Sequence, residues 1–264
     1  MITKNQIKHI SSLKIKKYRH AHNEFTVEGE KCVNELLRSE LVIRGIYAFK
    51  KWIQLNSELI LNKKPDVYEI TEDELRRISS FEAPNKVIAV AKIPDWGEPA
   101  AAIFSGLTLA LDNIKDPGNL GMIIRTADWF GIKNIVCSLE TADAFNSKAV
   151  QSSMGSLFRI NIFYADLRLF ISGAPENTKV YGSVLDGNNI FNKKLDKKGI
   201  IIIGNESKGI SENLIPLINE TLMIPPFLPS IKSGSGAHAE SLNAALANAI
   251  ICYEFRRQNY ADEK

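Results

Sequence analysis

Three short clusters place hydrogen-bonding side chains beside an arginine or a carboxylate. The first is DNIKDPGNLGMIIRTADWFG (112–131). Pro117 and Gly118 make a turn, and Asn119 is suited to cap the helix that follows. Arg125 comes six residues later, with Asp128 and Trp129 on the same helix face. The second, IIIIGNESKGIS (200–211), is an apolar run that stops at Gly204 and is followed by Glu206. Gly204 lets a ligand approach the backbone, and Glu206 puts a carboxylate at the rim. The third lies in LMIPPFLPSIKSGSGAHAESLNAALANAIICYEF (222–255), with Ser241 and Asn243 early in an alanine-rich helix. Together they bring neutral donors and acceptors near Arg125 and the Glu206 carboxylate. Each cluster alone also reads as ordinary structure: a capped helix with a surface arginine, a polar strand-to-helix turn, or helix-end hydrogen bonding.

Other chemistries find no motif. There is no G-x-x-x-x-G-K-[ST], no H-E-x-x-H, no C-x-x-C and no G-x-S-x-G. Gly234 and Gly236 are followed by Ala239 where a dinucleotide fingerprint needs its third glycine, and no strand leads into them. No metal is expected. His238, on the long 226–238 loop, reads as a solvated side chain.

The clusters need elements to position them, and the second half supplies a regular alternation. Short apolar strands are predicted at 107–114, 134–139, 160–164, 179–184, 199–204 and 221–225. Helices are expected near 119–130, 146–157, 166–173, 211–219 and 239–258. Continuous apolar strands alternating with helices predict an α/β fold, its parallel sheet covered on both faces. In the first half, FTVEGEKCVNELL (25–37) reads as an extended piece running into an amphipathic helix, and 41–49, 66–71 and 86–93 as strands. The stretch PDWGEPAAAIFSG (94–106) is the boundary candidate, so the chain divides into residues 1–97, a linker at 98–106, and 107–264.

Composition narrows the class. The chain has 264 residues, 45% apolar and 24% charged, which excludes collagen-like, coiled-coil and wholly disordered architectures. No apolar run reaches the roughly 18–20 residues of a membrane span, and no apolar stretch follows the first charges as in a secretory signal. Three scattered cysteines fit a reducing cytoplasm better than a disulfide framework. The net charge of +3 hides an uneven distribution: residues 1–23 hold six Lys and Arg and no acidic residue. Such a block is either a solvated helix face or an electrostatic footprint for phosphates.

In order and type, DPGNLGMIIRTADWFG, GNESKGIS and ESLNAALANAI resemble the three signature motifs of the SpoU/TrmH family of RNA 2′-O-ribose methyltransferases, within the SPOUT superfamily. FTVEGEKCVNELL and PNKVIAVAKI are similar to the small L30e-like substrate-binding domain that precedes the catalytic domain in many members. The resemblance implies an S-adenosylmethionine-dependent enzyme, usually a homodimer, with a C-terminal trefoil knot and a ribosomal or transfer RNA substrate. By motif position it implies Gly204, Ile224 and Leu242 at the cofactor, and Asn119, Arg125, Glu206, Ser241 and Asn243 in the active site. Lys14, Lys16, Lys17 and Arg19 are then expected to meet RNA phosphates. Arg125 is the family's proposed agent for the hydroxyl proton. Because arginine gives up its own proton only above about pH 12, anchoring a phosphate is the firmer role. The family's segment between Ile-Pro and Ser-Leu-Asn is usually short; the longer loop after Ile224-Pro225 departs from it, which bears on the pocket wall there. The alternative is a non-catalytic RNA-binding protein that keeps the fold. Asn119, Arg125, Glu206 and Asn243 together argue against it, since binding alone does not require all four.

Overall fold

The computed structural model describes residues 2–226 and 241–260. The chain begins α1 (Lys4–Ser12), α2 (Lys16–His22), β1 (Glu24–Glu28), α3 (Glu30–Arg38), β2 (Ile43–Ala48), α4 (Lys50–Leu55), α5 (Ser57–Lys63), β3 (Asp66–Glu69), α6 (Glu72–Ile78) and β4 (Val87–Lys92). It continues β5 (Leu107–Leu111), α7 (Pro117–Trp129), β6 (Asn134–Cys137), α8 (Ser147–Ser153), β7 (Asn161–Tyr164), α9 (Leu167–Ser172), β8 (Val180–Asn189), β9 (Gly199–Ile203), β10 (Glu220–Met223) and α10 (Ala244–Asn259). These elements form two compact units, Met1–Asp95 with Asp143–Arg159, and Trp96–Ala142 with Ile160–Lys264.

The first unit holds a four-stranded sheet in the order β1-β4-β2-β3, antiparallel except for β2 and β3. Two of its helices start with reciprocal caps, Thr3 with Gln6 and Thr71 with Glu74, as the T-x-x-[EQ] spacing allows. Ile10, Leu13, Leu75, Ile78 and Ile88 fill one side of its core. The stretch Asp143–Arg159 joins this unit from early in the second half of the sequence. Its Phe145 and Phe158 lie 4.8 and 6.5 Å, centroid to centroid, from the fully buried Phe25 of β1. Between α8 and the 3₁₀ turn Ser156–Phe158, Gly155 takes a left-handed φ of 94°, and a Cβ there would stand 2.6 Å from the Cβ of Glu35.

The second unit is built on a six-stranded sheet in the order β10-β8-β9-β5-β6-β7, parallel throughout. Ile200–Ile203 of β9 and Leu107–Leu111 of β5 are buried on both faces, the pattern of a covered parallel sheet. The connection order reverses between β5 and β9: β6 and β7 extend one way from β5, β8 and β10 the other way from β9. A crevice outside the carboxyl ends of such strands is where α/β sheets bind ligands.

Two helices differ from expectation. Residues 211–219 form turns and a short 3₁₀ segment, Ile215–Leu217, because Pro216 has no N–H to continue a helix. The last helix begins at Ala244 rather than near 239, with Asn243 as its cap. Among the described residues no helix is long and apolar enough to cross a membrane.

Candidate active site

The loop after β5 leads into α7. Asp116, not Asn119, caps this helix: its carboxylate accepts from Asn119 N at 2.9 Å, with Pro117 in the first turn. The Asp-Pro pair carried this signal, because proline suits a first turn where an N–H would be orphaned. With Asp116 as the cap, the amide side chain of Asn119 is left for other partners.

The loop after β9 is a closed turn. Asn205 and Gly209 exchange backbone hydrogen bonds at 3.0 and 2.9 Å, and Asn205 Oδ1 accepts from Ser207 N and Lys208 N, each at 3.0 Å. Asn205 Nδ2 donates to Asn113 O at 2.9 Å, and Ser211 N donates to the buried carboxylate of Asp112 at 2.7 Å, tying the turn to the end of β5. Asn205 and Asp112 went unassigned in the sequence, although both sit beside motif residues. A Cβ on Gly204 would lie 2.6 Å from Gly209 O and from Ile210 N. The glycine is therefore required by the turn's own closure.

The three motifs meet through one directional hydrogen-bond chain. Asn243 Oδ1 accepts from Ala245 N at 2.9 Å and Leu246 N at 3.4 Å, the open donors of α10. Asn243 Nδ2 donates to Asn119 Oδ1 at 2.9 Å, and Asn119 Nδ2 donates to Glu206 Oε1 at 2.5 Å. Both ends fix the polarity. Helix N–H groups only donate and a carboxylate only accepts, so each amide has one workable orientation. Among the described residues, one N–H on each amide and one oxygen of Glu206 have no partner.

Arg125 and Ser241 are not part of this chain. Both are exposed and make no hydrogen bond or ion pair among the described residues. Arg125 stands about 9 Å further along α7 and roughly a third of a turn around it from Asn119. Trp129, one turn on, is 84% exposed, and Met122, one turn before, is exposed as well. Gly204 and Ile224 are half-buried and Leu242 exposed, and their backbone groups make no hydrogen bond to a described residue. Three chain segments thus offer backbone donors and acceptors that no described residue uses. His238 and most of the 226–238 loop lie outside the described residues.

No thiol offers a nucleophile. Burial pushes the Cys32, Cys137 and Cys252 thiols up, that of Cys252 to about 12. Among the described residues no group of three or more His, Cys, Asp or Glu could hold a metal.

The basic N-terminal block divides. Lys16 and Lys17 are exposed and unpaired among the described residues. Lys14 is exposed, but its ammonium donates to Ser79 O at 2.5 Å. Arg19, expected to meet RNA phosphates, departs from its neighbours: it is 2% exposed and its guanidinium is engaged with Asp143.

A model of the SpoU rRNA methylase family matches residues 106–253, and one of the MRM3-like substrate-binding domain matches residues 4–89. The chain is 33% identical over 256 residues to the Bacillus subtilis 23S rRNA (guanosine(2553)-2′-O)-methyltransferase RlmP, covering 96% of this chain and 97% of that one. Its fold matches the AdoMet-bound rRNA methyltransferase from Sinorhizobium meliloti with a TM-score of 0.82 and 28% identity, over 97% and 96% of the two chains. It matches the SpoU methyltransferase AviRb from Streptomyces viridochromogenes, in complex with AdoMet, with a TM-score of 0.81 and 25% identity, over 98% and 99%. With its three motifs joined by one hydrogen-bond chain at the reversal point of a parallel sheet, the chain belongs to the SpoU rRNA methylase family.

Proposed function

We propose that this chain transfers a methyl group from S-adenosylmethionine to the 2′-hydroxyl of a ribose in ribosomal RNA. The observation that carries this reading is the chain Asn243–Asn119–Glu206, assembled from three separate motifs. A fold kept for binding alone has no need of it. S-adenosylmethionine supplies the methyl group as an electrophilic carbon on a sulfonium. Gly204, Ile224 and Leu242 hold it through their backbone groups. The uncommitted N–H groups of Asn119 and Asn243, with the free oxygen of Glu206, orient the ribose hydroxyl in line with that carbon. Ser241 adds a hydroxyl at the same edge. Arg125 anchors the neighbouring phosphate, and its charge steadies the oxygen as the hydroxyl proton passes to solvent water.

Residues 107–264 carry this transfer, and residues 1–97, joined through 98–106, bind the RNA, with Lys16 and Lys17 as phosphate contacts. Two copies assemble through the exposed apolar side chains of Met122 and Trp129 on α7 and Leu246 and Tyr253 on α10. The trefoil knot stands as part of this proposal, and residues 227–240 before α10 lie outside the described residues. Three free, buried cysteines accord with a reducing cytoplasm.

Incubation with labelled S-adenosylmethionine and deproteinised ribosomal RNA, followed by mapping of ribose methylation, tests the activity, with transfer RNA as the competing substrate. Arg125→Ala is expected to abolish transfer while S-adenosylmethionine still binds. Full activity in that variant removes the role given to Arg125.

A further inference from the structure

The buried Arg19 points to a role in RNA capture different from contact. Its Nε and Nη2 both donate to Asp143 Oδ2, at 3.0 and 2.5 Å, and Nη1 donates to Leu13 O and Lys14 O at 2.8 and 2.9 Å. Asp143 Oδ1 accepts from Phe145 N at 2.9 Å. The two side chains are 3% and 8% exposed, so the pair is almost wholly desolvated and closely satisfied. The carbonyls it holds belong to the turn between α1 and α2. That turn needs holding, because α2 has only seven residues and Ile15 at its start provides no side-chain cap. A helix this short does not persist on its own propensity. Lys16 and Lys17 begin it, both exposed and unpaired among the described residues.

We infer that Arg19 and Asp143 form a latch that positions Lys16 and Lys17 for RNA phosphates, so that an acidic residue strengthens the binding of an anion. The inference rests on the RNA-binding reading of the first domain. It gives Asp143, which no motif includes, a positioning role in substrate capture.

The experiment measures the affinity of the full chain for deproteinised ribosomal RNA across a salt series, with thermal melting as the control for folding. Lys16→Ala and Lys17→Ala should each lower the slope of log affinity against log salt by a little under one. Asp143→Asn should weaken binding by roughly tenfold at 0.1 M salt and lower the slope by up to the sum of both lysines. General electrostatics makes the opposite forecast, since deleting a negative charge would tighten the complex. Arg19→Lys keeps a cation that could serve a direct phosphate contact but cannot span Asp143 and two carbonyls; it should weaken binding like Asp143→Asn. A lower melting temperature with an unchanged slope, or unchanged or tighter binding by Asp143→Asn or by Arg19→Lys, overturns the latch. Parent-like slopes in both lysine variants overturn instead the RNA contact at this segment, and the latch's role with it.

Discussion

Asn119 passes one hydrogen bond on and receives another through a single planar amide. It accepts from Asn243 on one side and donates to Glu206 on the other. An aspartate has the same shape and no donor. Asn119→Asp would place a second carboxylate against Glu206, where two like charges repel. We expect kcat to fall on the order of 10²-fold, the cost of a misplaced reacting group, with KM for S-adenosylmethionine little changed. Steady-state kinetics separates the two, and an equal rise in KM would assign Asn119 to cofactor binding instead. At this scale the sequence disclosed which residue types gather, while their job within the gathering depended on backbone that spacing does not specify. Asn119 looked like a cap until Asp116 took that place. Arg19 was indistinguishable from its basic neighbours, because burial against a residue 124 positions away leaves no local pattern.

The turn after β9 is the element most sensitive to a single methyl group. Its closure brings Gly209 and Ile210 backbone against Gly204, and backbone cannot rotate aside as a flexible side chain would. Gly204→Ala should cost on the order of 1–3 kcal/mol of stability through overpacking. It should also loosen S-adenosylmethionine binding by more than the melting temperature alone accounts for, which calorimetry and thermal denaturation measure together. A parent-like affinity would show that the turn's shape is not what holds the cofactor. Elements of this kind were legible wherever one period dominated. The four isoleucines of β9 and the apolar runs of β5 and β6 read directly as buried strands, since a covered parallel sheet demands them. The segment 211–219 had helical spacing, but Pro216 outweighed it.

At the scale of the whole molecule, Trp129 is the largest apolar side chain left in solvent, and it flanks Arg125 on α7. If two copies assemble over α7 and α10, Trp129→Glu buries a charge in that interface and should convert the dimer to monomers in sedimentation analysis. An unchanged sedimentation coefficient would place the interface elsewhere. The same assembly puts Arg125 beside the second copy, so the monomeric variant should also lose activity. The sequence marked a boundary near residues 94–106, and a linear reading stops there. Packing of Asp143–Arg159 with the first unit depends on Phe145 and Phe158 meeting Phe25, a tertiary event between positions more than a hundred residues apart. For inheritance this matters, because the chain passes from one unit to the other three times rather than once. A recombination joint at Asp95 would transmit Phe25 without its aromatic cover, and a graft of one unit onto a foreign partner must carry Asp143–Arg159 along. The two halves of this gene are therefore expected to travel, diverge and be lost together.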